Sequence, residues 1–286
     1  MNLIDTHAHL DGIEDIDAAL TRAHETGVSA IVAVGEDRAA NEKNLALSQR
    51  VTQPRIILAL GLHPSKIRTE AIEEEFDFIE RNISQAKAVG EIGLDFWYQW
   101  VRKDEGKKQE QRVVFRRLLE LARRANLPAL IHTRGAWREA VDIARDVGIA
   151  KAVFHWYSGP VDVLADILKA GYFISASPSV AYSPEARKAL EIAPVEQTLI
   201  ETDSPVYYKN CDPSTRPGHG RGLAQDSAPR AKNEGAAGMP AGLHGGFKAE
   251  PKDVAVTLRY YAALKGRSEE ELVSILNRNA EKIFGL

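Results

Sequence analysis

Apolar residues in this chain fall into short unbroken runs, each followed by a stretch in which they recur every three or four positions. The runs are Leu3-Ile4, Ser29 to Val34, Ile56 to Leu60, Ala86 to Gly90, Pro128 to Ile131, Lys151 to Phe154, Tyr172 to Ser175 and Thr198 to Ile200. An apolar run without polar alternation is the pattern of a parallel strand covered on both faces. Helical spacing lies between them. Ile16, Ala19, Leu20, Ala23 and His24 precede a stop at Gly27, and Phe115, Leu118, Leu119 and Ala122 mark a helix over Arg112 to Ala125. Trp137, Val141 and Ala144 precede Gly148, and Val161, Leu164, Ile167 and Leu168 precede Gly171. Strand then helix, repeated eight times, predicts an α/β fold: a single (β/α)8 TIM-type barrel over 1–286. A doubly wound open sheet is the alternative arrangement of the same elements.

The rhythm breaks at 206–250, a stretch rich in Gly, Ala, Pro, Ser and charge. It follows the last strand, so a long loop over the catalytic face is expected, either a substrate lid or an unstructured insertion. Pro251 then opens a helix to about Lys265, and Ser268-Glu269-Glu270-Glu271 has the form of a capping box for a last helix ending near Phe284.

Composition adds bounds rather than chemistry. The 286 residues are 44% hydrophobic and 27% charged, enough for a large core without disulfides. A net charge of -3 argues against a cationic coat while permitting a local basic patch. Cys211 is the one cysteine, and no basic-then-apolar leader precedes Asp5. No apolar run approaches the ~18 residues of a membrane span. A cytoplasmic protein without a membrane partner is expected.

The candidate chemistry sits where the strands end. His7-Ala8-His9 follows the first run, and extended-chain alternation points both rings the same way. Glu91, His132, His155 and Asp203 follow the fourth, fifth, sixth and eighth runs. Singly, each has a plain explanation as a hydrogen-bonded polar residue or a turn cap. Jointly they converge on one barrel mouth, which favours divalent metal. Mixed nitrogen and oxygen donors suit Zn, Mn, Co or Mg alike. Six donors exceed one tetrahedral site, so two ions are expected, with Glu91 bridging through its two oxygens. The glycines in Gly90-Glu91-Ile92-Gly93 are expected to leave room for the ions.

A substrate clue follows Asp95. Phe96-Trp97-Tyr98-Gln99-Trp100 precedes Arg102, Lys103, Lys107 and Lys108. Rings can stack nucleobases while cations meet phosphates. The competing explanation is aromatics that cap the barrel and charges that start a solvated helix. Lys209, Arg216, Arg221, Arg230 and Lys232 would extend such a basic track.

Six motifs in order resemble the TatD family of metal-dependent hydrolases. They are Asp5-Thr6-His7-Ala8-His9-Leu10-Asp11, Gly61-Leu62-His63-Pro64, Gly90-Glu91-Ile92-Gly93-Leu94-Asp95, His132-Thr133-Arg134, His155-Trp156-Tyr157-Ser158-Gly159 and Glu201-Thr202-Asp203-Ser204-Pro205. The resemblance implies a barrel of the amidohydrolase group. In it His7, His9 and Asp203 hold one ion, His132 and His155 hold the second, and Glu91 bridges them. It further implies that Asp203 and Glu91 are catalytic, with Asp203 handling the proton of a metal-activated hydroxide. Metal coordination can lower the pKa of water from about 15.7 to about 7. The implied activity is a DNase, 3′ to 5′ exonuclease-like, although some members hydrolyse aminoacyl esters on tRNA. His63, Trp97, Trp100 and Arg134 are the expected substrate-binding residues, with a structural role for His63 equally open. Two departures bear on the substrate: Trp156 and Tyr157 stand where many members have Cys-Phe, and the 206–250 stretch is long. The competing functions are a two-metal amidase, lactonase, aminoacyl-ester deacylase or phosphotriesterase, and a nucleic-acid-binding protein without turnover.

Overall fold

The computed structural model describes residues 2–208 and 246–286. Eight parallel strands lie in sequence order: β1 (Leu3–Ala8), β2 (Val28–Val34), β3 (Arg55–Leu60), β4 (Ala88–Asp95), β5 (Ala129–Arg134), β6 (Ala152–Phe154), β7 (Phe173–Ala176) and β8 (Thr198–Ile200). Around them run α1 (Ile16–Glu25), α2 (Arg38–Arg50), α3 (Ile72–Asn82), α4 (Gln99–Arg102), α5 (Glu105–Ala125), α6 (Trp137–Val147), α7 (Val161–Lys169), α8 (Pro184–Ile192), α9 (Val254–Lys265) and α10 (Glu269–Phe284). This is the predicted barrel. The open-sheet alternative fails because the strand order never reverses.

Closure occurs at the mouth. Beyond β8 the chain turns back to β1, where Ala8 and Ser204 form a parallel bridge. The Asp203 N–H donates to the His7 carbonyl at 2.9 Å, and the His9 N–H donates to the Ser204 carbonyl at 2.8 Å. The backbone that completes the barrel thus also carries candidate site residues.

Two apolar layers support the strands. Ile4, Val32, Val34, Leu130, Phe173 and Leu199 point inward, where Ile283 and Phe284 of α10 join them. The opposite strand faces, among them Leu3, Ile31, Leu58 and Ile131, pack under the helices with Phe115, Leu118 and Leu164. Each fully buried large side chain contributes about 1.5–3 kcal/mol, so this core is independent of any ion.

Helix ends follow local chemistry. Asp15, Asp37, Asp104, Ser183 and Ser268 each accept a backbone N–H at the start of a helix. Only half of the expected capping box forms at α10. Ser268 accepts from the Glu271 N–H, while the Glu271 carboxylate accepts from Arg267 at 3.2 Å. α5 starts at Glu105, seven residues before the sequence pattern shows it, because polar Lys107, Lys108 and Gln109 fill its first turns.

The ends of the long stretch are stapled together. Strands β9 (Tyr207–Tyr208) and β10 (Phe247–Lys248) pair antiparallel, and buried Tyr208 donates to the Thr202 carbonyl at 2.8 Å. The expected loop over the catalytic face, with Cys211, Lys209, Arg216, Arg221, Arg230 and Lys232, lies outside the described residues.

Candidate metal centre

The strands reach further toward the mouth than their apolar runs indicate. His7 lies inside β1, Glu91 inside β4 and His132 inside β5, whereas His155 directly follows β6 and Asp203 lies three residues beyond β8. The sequence had placed the first three after their strands. Polar residues ended the apolar count, but the ladder continues through them.

Glu91 owes its aim to a bulge. Between Val89 and Ile92, β4 carries one residue more than the facing segment of β5. The Glu91 N–H donates instead to the Gly35 carbonyl at 2.9 Å. The neighbouring glycines serve the strands, which corrects the expectation that they make room for ions. A Cβ on Gly61 would stand 2.4 Å from the Gly90 carbonyl carbon, and one on Gly90 would stand 2.5 Å from Leu130 Cβ.

The Glu91 carboxylate divides between two groups of imidazoles. Its Oε2 lies 3.4 Å from His9 Nε2 and 3.6 Å from His7 Nε2. Its Oε1 lies 2.7 Å from His155 Nε2, 2.9 Å from His132 Nδ1 and 3.8 Å from His63 Nε2. Asp203 Oδ1 completes the first group at 3.2 Å from His9 and 3.5 Å from His7. Donor atoms of His7, His9 and Asp203 all lie within 4.8 Å of one another, as do those of His63, Glu91 and His132. The structure therefore brings together every residue of the expected ligand set and adds His63. It also places Glu36 within that distance of His9 and Glu91.

The donor set fits divalent metal. His7 Nε2 and Asp203 Oδ1 are buried and make no hydrogen bond. Buried polar atoms left unpaired cost about 1–3 kcal/mol each unless another partner is present. Asp203 also holds a left-handed backbone, φ 49°, as does Trp156 at φ 41°. Such conformations persist where the surroundings enforce them.

Charge in the cluster is mutually sustained. Burial alone would raise the Glu91 carboxyl, but His155, His63 and His132 outweigh it and hold the group well below the usual range. Burial would lower His9, yet Asp203 and Glu91 raise it to about 9. His155 is likewise raised well above normal despite burial, because Glu91 and Glu201 face it. His63 goes the other way, pushed down to about 3 by burial.

A cavity of about 1180 Å³ opens over this cluster. Trp97 and Arg134 line it, but Trp100 does not; its ring stacks on cavity-lining Tyr98 with centroids 5.5 Å apart. Arg134 is partly committed, since its Nε donates to Asp95 Oδ2 at 2.9 Å and its Nη2 pairs with the same oxygen at 2.9 Å. The basic run is also partly spent, with Lys107 bound to Glu110 and Lys108 to Glu105 at 2.8 and 3.5 Å. That favours the solvated-helix explanation for these two lysines.

Several participants escaped the sequence reading. Buried Asp95 holds His132 Nε2 at 3.0 Å. Its spacing of four residues from Glu91 on one strand was the available signal. Trp137 lines the cavity too, but core packing explains its helical spacing equally well; Trp156, which the sequence marks as a departure beside the site, also lines it.

Comparisons with known proteins give the family and the fold. The TatD-related DNase family model matches residues 4–285. Deoxyribonuclease TATDN3 of Homo sapiens is 29% identical over 296 residues, which cover 99% of this chain and 95% of that protein. The uncharacterized metal-dependent hydrolase TatD of Mycobacterium tuberculosis is 30% identical, covering 99% of this chain and 98% of its own. Among solved structures, the TatD homolog YjjV of Escherichia coli K12 superposes with a TM-score of 0.77 at 23% identity, covering 99% of this chain and 98% of that one. That likeness establishes the fold.

Proposed function

The chain belongs to the TatD-related DNase family, and from that premise we propose that it is a metal-dependent phosphodiesterase hydrolysing DNA from a 3′ strand end. The observation that carries the reading is the pair of buried, unpartnered donor atoms, His7 Nε2 and Asp203 Oδ1, beside a carboxylate shared between two imidazole groups. In this reading His7, His9 and Asp203 would hold one divalent cation and His132 and His155 a second, with the Glu91 carboxylate between the two groups. When bound, such cations lower the pKa of a water and polarise a phosphoryl group.

The remaining work falls to the chain. Asp203 lies where the cluster meets the cavity and is positioned to orient the attacking water and take its proton. Glu91 keeps its negative charge under burial because imidazoles face both of its oxygens. Trp97, 59% exposed, offers a ring to a nucleobase. Arg134, fixed by Asp95, presents its guanidinium at the same wall. The single cysteine, Cys211, suits a reducing, cytoplasmic setting. No helix among the described residues is long and apolar enough to cross a membrane.

One observation favours a small ester or amide substrate instead. Outside the proposed ligands, the described cavity lining carries Asp11, Glu36 and Glu185 against only Arg134 and Lys188. A single panel separates the two readings: end-labelled single- and double-stranded DNA, RNA, aminoacyl-tRNA and a lactone, each with Mg or Mn. Stepwise release of nucleotides from the 3′ end supports the nuclease. Turnover confined to aminoacyl-tRNA or the lactone contradicts it.

A further inference from the structure

Beneath the cluster lies a carboxylate that the reaction itself does not use. Glu201 follows β8, two residues before Asp203, and is fully buried. Its Oε1 lies 3.3 Å from His155 Nδ1, and its Oε2 is buried without a hydrogen-bond partner. Directly beside it the His7 and His155 rings stack, with centroids 3.9 Å apart and planes 8° apart. His7 Nδ1 is also buried and unpartnered. Donor atoms of His7, His155 and Glu201 all lie within 4.8 Å of one another.

We propose that Glu201 is a shared positioning residue, one carboxylate that orients His7 of the first cation position and His155 of the second. The inference rests on the paired-cation reading above. His155 turns Nε2 to Glu91 at 2.7 Å, which leaves Nδ1 for Glu201. Stacking then constrains His7 to present its ring in a nearly parallel plane. A carboxylate that accepts from the far nitrogen of an imidazole fixes its orientation and makes the near nitrogen a better donor to a cation. Two such imidazoles on one carboxylate tie the two positions together. Asp95 provides the contrast, because it holds His132 alone among the imidazoles. Glu201 is itself pinned from behind, since its backbone carbonyl accepts from Thr257 Oγ1 at 2.9 Å.

The test is cation titration of the full chain after chelation, with Mn and with Zn, on native protein, Glu201→Gln and Asp95→Asn. Loss of such a supporting carboxylate typically weakens metal affinity about 10- to 100-fold. Glu201→Gln is expected to weaken both positions by that factor, and Asp95→Asn only one. Nitrogen-15 NMR of histidine-labelled, Zn-loaded native protein gives a readout that needs no variant: Nδ1 protonated and Nε2 bare on both His7 and His155. The assignment is overturned if Glu201→Gln leaves either position unchanged, if it removes one whole cation while sparing the other, or if either ring carries its proton on Nε2. Native protein that takes up fewer than two cations overturns the paired-cation reading and this assignment together.

Discussion

The backbone N–H of Asp203 donates to the carbonyl of His7 at 2.9 Å, while their side chains face each other at 3.5 Å. One contact closes the barrel and the other builds the site. Because Asp203 contributes to closure through its main chain, while Asp5, Thr6 and Thr202 supply the side-chain bonds across the same seam, the Asp203 side chain is expendable for folding. Asn adopts the left-handed conformation required there nearly as readily as Asp. Asp203→Asn is therefore expected to keep its circular dichroism spectrum and melting temperature while turnover drops about 10²- to 10⁴-fold. An unfolded variant would assign Asp203 a structural role.

Activity should vanish on exhaustive chelation and return with one of Mg, Mn, Co or Zn. The fold should survive, because the inner layer of Ile4, Val32, Leu130 and Phe173 is apolar and complete without ions. Undiminished hydrolysis by protein shown to be metal-free would refute the proposed chemistry.

Cation affinity should rise with pH. Asp203 and Glu91 overcome burial to raise His9 to about 9, and Glu91 and Glu201 raise His155 well above normal. A raised imidazole pKa means that the ring keeps its proton below that value. Ligation needs the bare nitrogen, so each cation must displace protons. Apparent affinity should climb from about pH 6 toward about pH 9, with proton release visible when calorimetry is repeated in buffers of different ionisation enthalpy. A flat affinity profile without proton release would contradict the ligand set.

Trp97 and Trp100 should behave differently. Stacking on an aromatic ring is worth about 1–3 kcal/mol per base, or about 5- to 150-fold in binding. Trp97→Ala is expected to raise the KM for oligonucleotides in that range, with little effect on a small phosphodiester. Trp100→Ala, which loses a stack on Tyr98 but removes no cavity-lining residue, should change KM less than about twofold. Equal effects of Trp97→Ala on both substrates would make that ring a support for the barrel.

Much of this was legible because parallel strands buried on both faces leave continuous apolar runs. All eight strands were visible on that basis, and so was the convergence of His7, His9, Glu91, His132, His155 and Asp203. Polar strand ends were not. A ladder continuing through Asp5-Thr6-His7 or Glu91-Ile92-Gly93 has no apolar mark, so β1 and β4 seemed shorter than they are. The role of the glycines was also misjudged. Their spacing showed small residues but not that Gly61 lies against the backbone of Gly90 and Glu91. Glu36 and Glu201 were hidden because a carboxylate near a strand end is common, and only the fold shows which histidines it meets. Trp100 looked equivalent to Trp97 because the sequence does not reveal that Trp97 lines the cavity while Trp100, on the short helix α4, does not.

The central claim is that Glu91 joins two cation positions, one oxygen to each. Its removal should do more than delete a ligand, because two cations would then lose the shared negative charge that offsets their repulsion. His132→Ala, by contrast, should weaken mainly the second position. The decisive measurement is metal content per chain of purified, metal-saturated Glu91→Ala beside native protein, by elemental analysis. The account predicts two tightly held cations for the native chain and no more than one for Glu91→Ala, with nearly all turnover lost. Two cations held by Glu91→Ala at near-native affinity would contradict it.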